Sequence, residues 1–200
     1  MSPPAPCVDH LVVLAADLAS GAAWCERTLG VAPATGGEHP LMGTHNRLLQ
    51  ISSPRHPRAY LEIIAIDPAA ATPAQPRWFD LDQPALQQAL LERGPGLIHW
   101  VARVPSLDAA LAQMTSEGID AGRPVAASRG AFSWRIALRE DGRRLRRENL
   151  PTLIEWGAGS AHPSAQLPEV GVQLQSFEAR DGISAVLSTP LGERRLVLIG

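Results

Sequence analysis

Part of the chain is written twice, and nothing else in the sequence narrows the possible folds as far. Residues 7–14, Cys-Val-Asp-His-Leu-Val-Val-Leu, read as a buried strand, and residues 97–104, Leu-Ile-His-Trp-Val-Ala-Arg-Val, read as a second. Each is followed by a helix-capping residue, Asp17 or Ser106, whose side-chain oxygen suits the unpaired N–H groups of a first helical turn. The helical run then stops at Gly30 before Val31 in the first copy and at Gly118 before Ile119 in the second. Glycine tolerates the left-handed backbone of a helix C-cap. The offsets agree: 99 − 10 = 89 for His10 and His99, 106 − 17 = 89 for Asp17 and Ser106, and 118 − 30 = 88 for the two glycines. Strand, cap, helix and glycine recurring in register describe one supersecondary unit used twice.

Each copy continues into strand-like material. In the first, residues 46–51 and 59–65 flank the turn-rich Ser52-Ser53-Pro54-Arg55-His56-Pro57. In the second, residues 132–138 and 152–156 flank a charged loop around Asp141-Gly142. Weakly patterned short strands are expected before each pair, at 32–36 and 122–127. The predicted class is therefore α+β, with a first βαβββ module over 1–67 and a second over 97–158. Between them, 68–96 forms a linker rich in Ala, Pro and Gln, with a helix expected over 83–93. Three further strands, 170–178, 183–189 and 194–199, make 159–200 a C-terminal antiparallel β extension, too small to bury a core of its own.

Composition excludes several function classes. A net charge of −2 argues against nucleic acid or an anionic membrane as partner. The basic run Arg143, Arg144, Arg146 and Arg147 is flanked by Glu140, Asp141 and Glu148 and reads as a solvated loop. Two cysteines, Cys7 and Cys25, cannot build a disulfide scaffold, and free thiols fit a reducing cytoplasm. The N-terminus lacks the pattern of a signal peptide, and no apolar run is long enough for a membrane span. A soluble cytoplasmic protein is expected, with a homodimer left open.

Strand parity places one His in the first strand and one Glu in the last strand of each copy: His10 with Glu62, and His99 with Glu155. The separations are 62 − 10 = 52 and 155 − 99 = 56. A carboxylate in an apolar strand such as Leu61-Glu62-Ile63-Ile64 is costly unless its charge is compensated. Two converging carboxylates would repel, and a divalent cation held with two imidazoles removes both problems. Taken singly, a His in an apolar strand is more often a hydrogen-bonded core residue, and a Glu there can be salt-bridged; matched positions favour a metal set.

The segments Val8-Asp9-His10-Leu11-Val12, Tyr60-Leu61-Glu62-Ile63-Ile64, Ile98-His99-Trp100-Val101 and Leu153-Ile154-Glu155-Trp156 resemble the four metal-ligand strands of glyoxalase-like proteins of the vicinal oxygen chelate superfamily. The resemblance covers about residues 7–157. It implies paired modules curling into open sheets around a central site, with His10, Glu62, His99 and Glu155 holding a divalent ion (Zn, Ni, Co, Mn or Fe). It also implies a lyase or isomerase acting on a small vicinal-oxygen metabolite, with Glu155 or Glu62 moving a proton next to a carbonyl. Two relatives of the same fold stay open as alternatives: a metal-free drug-sequestering binder, and an extradiol ring-cleaving dioxygenase.

Further candidates surround this set. His45 and Asn46 stand before the third strand of the first copy, in a segment that also resembles glyoxalase-like relatives, and could hydrogen-bond substrate or simply form a turn. Arg103 and Arg135 could hold an anionic substrate group, the alternative being salt bridges. Trp134 is the aromatic best placed to stack on a ligand. His56 and His162, each beside a proline, read as exposed loop residues.

Overall fold

The computed structural model describes residues 7–145 and 149–199, so Arg146, Arg147 and Glu148 of the basic segment lie outside the described residues. The first repeat comprises β1 (Cys7–Leu14), α1 (Leu18–Leu29), β2 (Ala34–His39), β3 (Thr44–Gln50) and β4 (Tyr60–Ile66). The connection carries α2 (Pro84–Arg93). The second repeat comprises β5 (Gly96–Arg103), α3 (Leu107–Ser116), β6 (Arg123–Arg129), β7 (Phe132–Leu138) and β8 (Thr152–Trp156). The caps expected from the repeat are in place. The Asp17 carboxylate accepts from the Ser20 N–H at 2.7 Å, Ser106 Oγ accepts from the Ala109 N–H at 3.3 Å, and Gly30 ends α1 with φ 79°.

Eight strands form one sheet in the order β2-β3-β4-β1-β5-β8-β7-β6. Within each repeat the first and last strands pair parallel, β1 with β4 and β5 with β8, as a crossover helix requires. The repeats join through antiparallel pairing of β1 and β5, where Val12 faces His99. The sheet curls until its two ends meet: a Cβ added to Gly37 in β2 would stand 2.6 Å from the guanidinium of Arg129, the last residue of β6.

The convex face carries Leu11, Val13, Leu61, Ile63 and Trp100, packed under α1 and α3. On the same face lies a three-stranded antiparallel sheet of β9 (Gln173–Glu178), β10 (Ser184–Thr189) and β11 (Gly192–Val197), whose Leu174, Ala185 and Leu187 join the core. Phe177 meets Trp100 at 4.8 Å between ring centroids, and the Leu174 N–H donates to the Ile51 carbonyl. Residues 170–199 thus add a layer to the first core, which supplies the apolar partner surface they lack alone.

The concave face is closed by the connection, through Trp78, Phe79, Leu81, Leu86 and Leu90. Asp80, at φ 64°, pins this segment to the second repeat. Its carboxylate receives the Arg144 N–H at 3.0 Å and Nε–H at 3.0 Å, while the Arg144 Nη1 donates to the Ile98 carbonyl. The basic loop is therefore not wholly solvated, because Arg144 is buried against Asp80. No helix among the described residues is long and apolar enough to cross a membrane.

Removing one partner of a buried ion pair strands the other charge, which costs about 3–5 kcal/mol. Asp80→Ala is accordingly expected to lower the urea-unfolding free energy by that amount.

Candidate functional site

The concave face owes its chemistry to a bulge in β1. Val8 pairs with Ala102 and His10 with Val101, so Asp9 is an extra residue between them. A bulge breaks the alternation of side chains and re-aims one of them. Asp9 and His10 consequently both face the cleft. The fully buried Asp9 accepts from His10 Nδ1 at 2.8 Å on one oxygen; the other receives Trp156 Nε1 at 2.9 Å, His162 Nε2 at 3.0 Å and Arg103 Nη1 at 3.1 Å. Burial works to raise the Asp9 pKa, but the hydrogen bonds from His10 and His162 outweigh it and hold the carboxyl well below its usual range. A carboxylate only accepts, so His10 presents its proton on Nδ1 and leaves Nε2 turned to the cleft.

Glu62 lies one strand away on β4, in register with Val12. Asn46 on β3 donates from Nδ2 to Glu62 Oε1 at 2.6 Å and accepts the Gly37 N–H on Oδ1 at 2.8 Å. Gly36 makes this approach possible, because a Cβ there would stand 2.0 Å from Asn46 Oδ1. The other Glu62 oxygen stands 3.6 Å from His10 Nε2, and His39 Nε2 is 3.8 Å from Oε1. His39 is in turn held by Thr44 Oγ1 at 3.0 Å. Tyr60 stacks on His10 at 4.6 Å, and Trp78, Phe79, Trp134 and Trp156 complete an aromatic cleft of about 480 Å³ including its open mouth.

The residues expected at the site divide. His10, Glu62, Asn46 and Trp134 line the cleft together. Asn46 is committed to orienting Glu62. His45, its neighbour in the strand, faces the other way, 3.9 Å from Asp67. Arg103 reaches the concave face, as its parity requires, but its charge is taken by Asp9. Arg135 is held by Asp108 and Glu155, each at 2.8 Å. His162 is not an exposed loop residue: it is buried at the start of α4 (Pro163–Gln166), and its Nδ1 accepts the Ser164 N–H.

His99 and Glu155 do not join the cluster. His99 lies on β5 with its Nε2 accepting the Thr152 N–H at 3.2 Å, beside Thr152 Oγ1 at 3.0 Å and the Phe79 ring. Glu155 projects to the convex face, where one oxygen accepts the Leu107 N–H at 2.6 Å and pairs with Arg135. The ladder explains why. Glu62 pairs with Val12 and Thr152 with Val101, and 101 − 12 = 89, the offset that relates His10 to His99. Thr152 therefore occupies the position equivalent to Glu62, and Glu155, three residues on, has the opposite parity.

Among the described residues no three His, Cys, Asp or Glu side chains are disposed to hold a metal ion. Four-point coordination by His10, Glu62, His99 and Glu155 does not fit, since Glu155 lies across the sheet from the other three. The signals that sequence reading passed over are Asp9, the lone acid of an apolar strand, together with His39, the Gly36-Gly37 pair and Arg129.

Two expectations follow. Glu155→Ala should destabilise the fold by about 1 kcal/mol, the usual worth of a helix-terminal cap, without disturbing the cleft; urea unfolding and ligand binding measure the two. Burial, reinforced by Arg144, pushes His99 down to about 3, and burial opposed by Glu62 leaves His39 at about 4. Below their ordinary value of 6.5 the unfolded chain binds protons that the folded chain refuses. The stabilisation is thus complete above about pH 6.5 and declines as pH falls toward 4. Melting temperature should drop across that window, and His99→Gln should flatten the drop.

A family described as a glyoxalase-like domain matches residues 8–182. No curated protein matches the chain. Among solved structures, a hypothetical protein from Staphylococcus aureus is similar at 14% identity and TM-score 0.53, over 95% of this chain and 85% of that one. The methylmalonyl-CoA epimerase of Mycobacterium tuberculosis is similar at 20% identity and TM-score 0.43, over 75% and 86%. That of Streptomyces coelicolor is similar at 18% identity and TM-score 0.46, over 76% and 99%. At such identities the likeness is one of fold. With duplicated βαβββ modules curled around one cleft and a family match spanning most of its length, the chain belongs to the glyoxalase-like domain family.

Proposed function

We propose that the protein is an isomerase-type enzyme that moves a proton on a carbon next to a carbonyl group of a small oxygenated metabolite, with Glu62 as base. The observation that carries this reading is the setting of the Glu62 carboxylate. One oxygen is fixed by Asn46, and the other faces His10 Nε2 at 3.6 Å within an aromatic cleft. A general base needs its lone pair held in place and somewhere for the proton to go. Asn46 supplies the first and His10 the second.

In the forward step the substrate C–H bond breaks, its proton passes to Glu62, and the electron pair moves onto the carbonyl oxygen as an enolate. His10 Nε2 can take that proton from Glu62, and the resulting imidazolium is stabilised by Asp9 on Nδ1. Return of the proton to the opposite face gives the epimer with no net oxidation; on a 2-hydroxy ketone, return to the neighbouring carbon gives the isomer once the hydroxyl proton has passed to the former carbonyl oxygen. The indoles of Trp134 and Trp156 shield the enolate from water. Glu155 has no part in this step.

The test is deuterium exchange. In heavy water the wild-type protein should incorporate deuterium at the α-carbon of 2-hydroxy ketones or 3-oxo acids, read by proton NMR with and without added divalent ions. Glu62→Gln should slow exchange by about 100-fold or more while circular dichroism stays native. Exchange absent from the whole panel, or indifferent to Glu62→Gln, would remove the reading and leave a ligand-binding protein.

A further inference from the structure

We infer that Arg129 and Trp78 form an anion subsite in the same cleft, which selects substrates carrying a carboxylate close to the carbon that loses its proton. The inference rests on the assignment of Glu62 as base, and it adds the class of substrate.

Two other arginines reach the concave side and are already neutralised: Arg103 is bound to Asp9 and Arg144 to Asp80. Arg129 makes no hydrogen bond or ion pair among the described residues, and its Nη1 is shielded from solvent without an acceptor. It lines the cleft together with His39, Glu62 and Trp134. Room for it is built in: Gly37 opposite has no side chain, and a Cβ there would stand 2.6 Å from Nη1. Trp78 lines the same cleft at 8% exposure, and its buried Nε1–H also lacks an acceptor.

Shielded donors in native proteins nearly always meet an acceptor, so two unmet donors bordering one cleft call for ligand oxygens. One guanidinium and one neutral N–H match the single charge and two oxygens of a carboxylate; a phosphate dianion would keep uncompensated charge. Because Arg129 lines the same cleft as Glu62, its positive charge would also favour negative charge building on an enolate formed there.

Isothermal titration with malonate and its uncharged isostere malonamide tests the subsite without any turnover. Wild type should bind malonate about tenfold or more tighter than malonamide. Arg129→Gln should erase that preference, Arg129→Lys should keep part of it, and Trp78→Phe, which removes only the N–H, should weaken malonate binding by a smaller factor. Native circular dichroism and an unchanged melting temperature in Arg129→Gln show the fold intact. Wild type binding malonate no better than malonamide, or Arg129→Gln binding malonate as wild type does, would overturn the subsite. A malonate preference lost in Arg129→Gln, with no deuterium exchange in wild type, would uphold the anion subsite and remove only the role of Glu62 as base.

Discussion

The antiparallel pairing of β1 with β5 is the constraint on which the rest of the molecule is built. It joins the two repeats into one sheet, fixes which residues of each face the concavity, and includes the bulge that turns Asp9 inward. A buried carboxylate without partners would oppose folding strongly. Here it gathers side chains from β1, β5, β8 and the start of α4, so the charge most costly to bury ties the cleft floor together.

That arrangement makes the two repeats unequal. A perfectly symmetric duplication would carry matching acid positions in β4 and β8. The first repeat has Glu62 with Asn46 and His39 around it, while the second has Thr152 at the equivalent place, hydrogen-bonded to His99. The first repeat contributes His10, His39, Asn46 and Glu62 to the cleft, and the second contributes Trp134, Trp156 and Arg129. The Gly36-Gly37 pair serves both halves, since one glycine admits Asn46 and the other admits Arg129. Closure of the curled sheet at its two ends is thus part of the site's construction.

Much was legible in the chain itself. The repeat offset, both helix caps and the three C-terminal strands follow from hydrophobic period and turn chemistry, which are local properties. The shared facing of His10 with Val12 and of Glu62 with Ile64 is read in the same way, because alternation along a regular stretch of strand says which side chains share a face. His162 and Arg144 were misjudged, since each is drawn inward by a distant carboxylate, Asp9 or Asp80, that no local pattern reveals.

The sequence by itself determined that two βαβββ units exist, where their strands and helices run, and that a His and a Glu lie in the first and last strands of each. Only the tertiary structure decided which of these meet. Glu155 was matched to Glu62 by order along the chain, yet the β5–β8 ladder sets Thr152 at that position and sends Glu155 to cap α3. Register between strands is fixed by pairing across the sheet and by bulges. A shift of one residue exchanges the faces, and the spacing of residues along one strand carries no record of it.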